Sequence, residues 1–350
     1  MSDFKTLRVR KVEHHEDDAI TVHFKPPLFN KVQYDAGQFL TFKLQIHGKQ
    51  VFRSYSLCSA PKIDKYLSVT IKRVKDGYIS NYLNNYLKVG DAVPASISHS
   101  PFRYIPKTSS VKKLVLIAAG SGITPMLSII KTALYLDDDV QVHLFLGNRH
   151  QASILHKSEL HALSAQFPNR FNLVHVLSQA DETWQGHKGR LDERTLAQLL
   201  SEFQLAQDLT HTAFYLCGPT GMMESCLTEI KSRQVAEDKI YIESFSGLIN
   251  KDSSSKPELG SHIVKLTLKG ETHAVPVANG QSVLDAALAM GLDVTYSCRS
   301  GFCSACQCKQ VKGQLTLLDD QSLTKKEQQQ GKTLLCVGFA GSDDIQLTMD

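Results

Sequence analysis

Nowhere in these 350 residues does an apolar run approach the roughly 20 positions that a membrane span requires, so no span is expected. The first 19 residues lack an apolar core and hold His14, His15, Glu16, Asp17 and Asp18 instead. No secretory signal is therefore expected, and a cytoplasmic protein is. Blocks of lysine or arginine are missing too. The formal charge is only +4, and residues 261–350 carry nine acids against eight bases. A nucleic-acid partner is therefore not expected. Low-complexity tracts and internal repeats are absent, and the single tryptophan, Trp184, sits in a polar stretch that gives it no role.

What is present is more than one ordinary domain. Domains of about 100–200 residues imply about two or three here. Positions 1–108 read as β: apolar alternation runs through 7–12, 20–24, 39–44, 51–57, 67–74 and 92–97, with a short helix at 79–86. Six short antiparallel strands and one small helix predict a closed barrel. From 109 to 246 the pattern changes. Residues 113–118 form a continuous apolar run, as a strand buried on both faces requires. Strand-like runs at 140–146, 171–177, 213–217 and 239–243 then alternate with helical stretches, the first opening at Pro125 and others at 156–166, 191–203 and 220–234. This alternation predicts a parallel, doubly wound α/β unit. Residues 247–260, rich in Ser, Lys and Pro, read as a linker. Beyond them, 261–350 offers strands at 263–269, 272–277 and 344–349 and a helix at 282–290 capped by Ser282.

Five of the eight cysteines fall in that last unit. Disulfides are rare in a reducing compartment, which turns the reading towards metal. Cys298, Cys303 and Cys306 stand at Cys-x4-Cys-x2-Cys spacing, with Cys336 thirty residues on, the pattern of plant-type [2Fe–2S] ligation. Ser300, Gly301, Ser304 and Ala305 are small enough to let a loop wrap a cluster closely. Structural zinc, the alternative along with a set of free buried thiols, usually shows two separated pairs. Cys308 reads as a packed core thiol.

Three further motifs carry chemistry. Arg53-Ser54-Tyr55-Ser56 lies on a barrel strand, where alternation puts Arg53 and Tyr55 on one face. It offers a cation for a phosphate, an aromatic wall and a hydroxyl donor, as a flavin needs, although a plain surface Arg–Tyr pair reads the same way. Gly77 and Ser80 begin a helix, whose free N–H groups favour a phosphate. Gly120-Ser121-Gly122-Ile123-Thr124-Pro125 joins a buried strand to a helix, where a pyrophosphate would dock. Its Pro125 departs from the six-residue glycine fingerprint. Cys217-Gly218-Pro219 ends the fourth parallel strand and Glu243-Ser244-Phe245 the fifth, both at the carboxyl edge that forms a ligand crevice.

These residues together resemble the ferredoxin–NADP⁺ reductase superfamily, in the subgroup with a C-terminal plant-type ferredoxin domain, over the whole chain and in domain order. Arg53–Ser56 looks like its R-x-Y-S flavin motif, 120–125 like its nicotinamide loop, and Cys217-Gly218-Pro219 like its C-G-P. The resemblance implies a β-barrel flavin domain, an α/β nucleotide domain and an α+β, β-grasp ferredoxin domain. It implies FAD bound through Arg53, Tyr55, Ser56, Gly77 and Ser80, with Ser56 near flavin N5. Gly120, Gly122, Thr124, Arg149, Gly218 and Pro219 would hold NADPH or NADH, Thr124 and Cys217 would lie by the nicotinamide, and Phe245 would cover the flavin. Arg149 after the second parallel strand, with no acid beside it, leans towards NADPH. The stretches 118–127, 147–149 and 282–287 are similar to reductase subunits of phenylacetyl-CoA epoxidases. The implied acceptor is a terminal oxygenase, with an acyl desaturase, a Rieske dioxygenase or a hybrid-cluster protein as alternatives. A flavin and iron–sulfur redox sensor is the reading from another class.

Overall fold

The structure is a computed structural model that describes residues 4–16, 18–25, 32–97, 100–107, 110–205, 209–245, 257–318, 323 and 325–349. The linker expectation at 247–260 falls mostly outside the described residues.

The first sheet is antiparallel. Its strands are β1 (Lys5–His15), β2 (Ala19–Lys25), β3 (Phe39–Ile46), β4 (Lys49–Ser56), β5 (Leu67–Lys72) and, after the helix α1 (Tyr78–Tyr86), β6 (Ala92–Ile97). They line up as β4-β3-β6-β1-β2-β5. A bridge from Leu57 to Val69 brings the two outer strands together and closes the barrel. Phe24, Phe42, Ile20 and Val22 fill it, because alternate positions on each strand point inward. The barrel expectation holds.

The second sheet is parallel: β7 (Lys113–Ala119), β8 (Gln141–Asn148), β9 (Phe171–Leu177), β10 (His187–Lys188), β11 (Thr212–Cys217) and β12 (Ile240–Glu243), in the order β10-β9-β8-β7-β11-β12. Between the strands run α2 (Ile123–Leu136), α3 (Lys157–Gln166), α4 (Glu193–Glu202) and α5 (Thr220–Ser232). Both faces are covered, and every residue of the β7 centre from Leu114 to Ala118 is fully buried. The chain leaves β7 on one side and returns through β11 on the other. The crevice beyond the carboxyl ends of these two strands is thus a topological switch point.

Two local expectations are corrected. The helix expected to open at Pro125 begins at Ile123, after a 3₁₀ turn over Gly120–Gly122, so Pro125 sits inside the first turn where its missing N–H costs nothing. Trp184 is not idle: its Nε1 donates to the His187 carbonyl at 3.0 Å and its ring packs on the core.

The third sheet is mixed. It joins β13 (His262–Leu268), β14 (Glu271–Val277), β15 (Gln307–Lys312), β17 (Lys332–Leu334) and β19 (Gln346–Met349) in the order β14-β13-β19-β15-β17, and β16 (Leu315–Leu317) pairs with β18 (Gly338–Ala340) beside it. The helix α6 (Val283–Ala289) lies across it, with Ser282 Oγ accepting from the Asp285 amide as its cap, and a short helix α7 (Lys325–Gln329) precedes β17. This is the expected α+β unit. Among the described residues no helix is long and apolar enough to cross a membrane.

Candidate functional site

All three units contribute to one cavity of about 1190 Å³. That exceeds the roughly 300–1,000 Å³ typical of a single small ligand. The first sheet supplies β4, an edge strand whose unpaired side faces the space, so that Arg53, Ser54, Tyr55 and Ser56 all reach the wall. Gly77 and Ser80 at the start of α1 join them, as do Thr124 in the first turn of α2, Arg149 just after β8 and Phe245 beyond β12. From the third unit come Cys298, Ser300 and Phe302 of the cysteine loop.

The wall holds polar groups that lack partners. Arg53 has no ion-pair partner among the described residues. The Tyr55 hydroxyl is buried without a hydrogen bond, and burial raises its ionisation above the usual phenol range. Glu243 is buried at the end of β12. Its Oε2 accepts from Ser56 Oγ at 2.7 Å, while Oε1 has no partner. Burial pushes its carboxyl up to about 8; the Ser56 bond opposes this and the Cys298 sulfur adds to it. A buried polar atom without a partner is costly unless a ligand completes it. An unpaired guanidinium, an aromatic wall and two orphaned polar atoms suit a phosphate-bearing ring cofactor such as FAD.

Glycines are explained here by close approach. A Cβ on Gly122 would lie 2.0 Å from the Cys217 carbonyl oxygen, and one on Gly218 would meet Met222 and the Ala119 amide. The β7 loop is therefore pressed onto the end of β11. Gly77 is demanded by its neighbours Ser80 and Val74, and of these four glycines Gly120, at φ +54°, is the one that opens onto free space. Thr124 Oγ1 donates to the Ser121 carbonyl at 2.9 Å and fixes the loop. Cys217 is completely buried behind the wall, its thiol raised by burial and by the Glu243 charge. Gly120, Gly122, Cys217, Gly218 and Pro219 are not among the residues that line the cavity: Gly122 and Cys217 are buried, Gly120 and Gly218 half-buried, and Pro219 exposed.

The cysteines gather as two pairs. The Cys298 amide approaches Cys303 Sγ at 3.3 Å, and the Cys336 amide approaches Cys306 Sγ at 3.4 Å. The Cys303 thiol and the Ser300 and Phe302 amides hold Cys298 below the ordinary thiol range. Among the described residues no three His, Cys, Asp or Glu side chains close around one metal ion. Two thiol pairs instead suit the donor set that a binuclear cluster needs, one pair per iron. Arg299 and Ser304 take left-handed backbone, which wraps the loop. Cys308 is buried in the core of this unit.

Sequence reasoning did not single out Glu243 as a site residue. The available signal was an acid closing an otherwise apolar strand at the carboxyl edge. The Ser54–Ser297 contact joining β4 to the cysteine loop, Oγ to Oγ at 2.8 Å, left no signal at all.

Comparison with known proteins agrees with this geometry. Residues 6–104 match the oxidoreductase FAD-binding domain, 116–228 the oxidoreductase NAD-binding domain and 266–340 the 2Fe-2S iron–sulfur cluster binding domain. The chain is 30% identical to one of the subunits of the 1,2-phenylacetyl-CoA epoxidase of Escherichia coli over 357 residues, covering 100% of this chain and 99% of that one. It is 31% identical to the ferredoxin reductase component of 3-ketosteroid-9-alpha-monooxygenase of Mycobacterium tuberculosis, covering 98% and 95%. The fold is that of phthalate dioxygenase reductase, with a TM-score of 0.59 at 21% identity over 99% of this chain and 98% of the other. The chain belongs to the ferredoxin–NADP⁺ reductase superfamily, in the branch ending in a plant-type [2Fe–2S] domain, and is an NAD(P)H-dependent oxidoreductase with FAD and iron–sulfur cofactors.

Proposed function

We propose that the chain takes electrons from NADPH or NADH and delivers them, through FAD and a [2Fe–2S] cluster, to a separate terminal oxygenase. The carrying observation is the shared wall: Ser56, Thr124 and Cys298 border one cavity. A bound flavin accepts a hydride and gives up electrons singly, as a one-electron cluster requires.

The residues divide this work. Arg53 neutralises the flavin phosphate, with Gly77 and Ser80 offering a helix start to the pyrophosphate. Tyr55 packs on the ring. Ser56 stands at N5, oriented by Glu243. Gly120, Gly122, Gly218 and Pro219 shape the nucleotide crevice, Thr124 and Cys217 support the nicotinamide, and Phe245 covers the flavin until nicotinamide arrives. Arg149, exposed at the end of β8, favours the 2′-phosphate of NADPH. Cys298 with Cys303 and Cys306 with Cys336 hold the cluster. We read 1–108, 109–246 and 261–350 as the three units, joined by 247–260.

An oxygenase as acceptor rests on relatives named as components of an epoxidase and as reductase components of monooxygenases. An epoxidase of the phenylacetyl-CoA type is the favoured partner. An acyl desaturase, a Rieske dioxygenase or a hybrid-cluster protein is the alternative. The test is an anaerobic visible titration with NADPH and then NADH. Joint bleaching of flavin and cluster bands is expected, faster with NADPH. Flavin bleaching with an unchanged cluster band would break the proposed path.

A further inference from the structure

On the outer face of the barrel lies a buried charged cluster that has no part in the electron path proposed for this chain. Lys131, with its side chain 10% exposed, reaches Asp64 at 2.7 Å and Glu159 at 2.9 Å. His156, with its side chain 8% exposed, directs Nδ1 at Glu159 Oε2, 3.2 Å away, and Nε2 at Thr70 Oγ1, 2.8 Å away. Asp64 and Thr70 belong to the first unit, and Lys131, His156 and Glu159 to the second. The cluster therefore spans an interface, which the Lys131–Asp64 ion pair and the His156–Thr70 hydrogen bond cross, and within it two cations balance two anions.

Its place along the chain matters more than its charge. Ser56 is followed by Leu57, Cys58 and Ser59, and the segment ends at Asp64, whose Oδ2 accepts from the Ala60 amide. Onto this segment α2 is pinned twice: Ser128 Oγ donates to the Ser59 carbonyl at 2.6 Å, and Lys131 binds Asp64. The same helix carries Thr124 in its first turn. Thr70 also lines the cavity. Whatever fixes α2 and α3 on this segment therefore fixes Thr124 relative to Ser56.

His156 completes the balance only as a cation. With both ring nitrogens protonated it donates to Glu159 and to Thr70. The Thr70 hydroxyl is then free to donate to Thr21 Oγ1 at 2.8 Å, and Thr21 to His15 Nε2 at 2.6 Å. As neutral imidazole it would leave the cluster one negative charge in excess, in a place largely closed to water. The backbone at His156 is left-handed, φ +55°, a conformation that Asn also accepts and most side chains resist. The groups facing it are His15 from β1, Cys58 after β4, Thr70 from β5, Lys131 from α2 and Glu159 from α3. Glu159 keeps 40% of its side chain in water, which screens that side only.

We propose that His156 is a positioning residue for hydride transfer: as an imidazolium bridging Thr70 and Glu159, it sets how the nicotinamide crevice faces the flavin strand. The proposal rests on the hydride-transfer reading above. Displacements of about 1 Å can cost up to about a hundredfold in rate, so a loosened interface is felt at the reacting atoms.

The test is stopped-flow reduction of the flavin in the full-length holoprotein by NADPH, from pH 6.5 to 10. Burial opposes the charge on His156, yet Cys58 and Glu159 hold its proton up to about pH 9. The wild-type rate at saturating nucleotide should fall as pH rises through about 9. His156→Asn, which keeps the backbone conformation, should reduce the flavin about tenfold more slowly at pH 7.5 and lose the alkaline limb, with flavin content and nucleotide dissociation constant within about twofold of wild type. Glu159→Gln, a milder change, should move the limb to lower pH. A wild-type rate flat to pH 10, or a limb that Glu159→Gln leaves unmoved, overturns the proposal. A wild-type protein whose flavin is reduced by neither nucleotide would instead refute the hydride-transfer reading.

Discussion

Ser54 and Ser297 share a hydrogen bond of 2.8 Å between positions 243 residues apart, and through it the flavin strand touches the residue that precedes Cys298. Ser54 Oγ also meets Thr41 Oγ1 at 3.0 Å on the neighbouring strand, so the contact is anchored in the barrel. It ties β4 directly to the cysteine loop. A hydrogen bond of this kind contributes about 0.5–1.5 kcal/mol. We expect Ser54→Ala, Ser297→Ala and the double variant to slow flavin-to-cluster electron transfer by a few-fold to tenfold. The double variant should be no slower than the worse single one. Flavin reduction by NADPH, monitored separately by stopped flow, should stay at the wild-type rate. Additive losses would show that the two hydroxyls act independently.

Glu243 should hold a proton at neutral pH. Its carboxyl is displaced upward from the usual carboxylate range to about 8 by burial, so the folded chain binds a proton that the unfolded chain has released. By linkage, stability then falls as pH rises between about 4.5 and 8 and levels off above. Infrared difference spectra should show a protonated carboxyl band that titrates near pH 8 and is absent from Glu243→Gln. The same variant keeps a hydrogen bond to Ser56 but cannot ionise. Flavin reduction in it should be about tenfold slower and should lose its pH dependence in this range. A band that persists in Glu243→Gln would assign the proton elsewhere.

How far the sequence reached depends on the range of each signal. Strand alternation in 39–44 and 51–57 and the apolar run at 113–118 are local, and they appear as β3, β4 and β7 within two residues. The helix expected from Pro125 opens two residues earlier, since proline is tolerated within a first helical turn and does not mark its start, and the approach of Gly122 to the Cys217 carbonyl, across 95 residues, is carried by no local pattern. Strands β15 to β18 went unread: three of them have only three residues, and β15 has glutamine or lysine at four of its six positions. The motif residues of β4, α1 and the cysteine loop were legible as types and spacings. Glu243 was not, since its meaning comes from Ser56, 187 residues away.

The cysteine pairing separates ligands from bystanders. Cys298→Ser and Cys336→Ser each remove one thiolate from a different pair, so each should abolish the cluster's visible and electron paramagnetic resonance signals. Flavin content and flavin reduction by NADPH should be retained. Cys308→Ala deletes a buried thiol two residues from Cys306 and should cost about 1–2 kcal/mol of stability while leaving iron content unchanged. Loss of iron in Cys308→Ala, or retention of the native signal in Cys336→Ser, would require a different ligand set.

Gly122 offers the sharpest test of the nucleotide crevice. A methyl group there would lie 2.0 Å from the Cys217 carbonyl oxygen and 2.6 Å from its carbon, so the loop or the end of β11 must move. Both obstructing atoms are backbone, and side-chain rotation cannot relieve them. Overpacking of this kind costs about 1–3 kcal/mol. Gly120, by contrast, has open space around its missing Cβ, and only its positive φ resists substitution. Asn tolerates that conformation. Gly122→Ala should therefore raise KM for NADPH by about 10- to 100-fold and leave the flavin and cluster spectra intact, whereas Gly120→Asn should change KM by no more than about threefold. The ranking follows from contact geometry alone, because both glycines belong to the same motif. Equal losses in the two variants would mean that the ligand, and not the packing of β7 on β11, demands glycine at both positions.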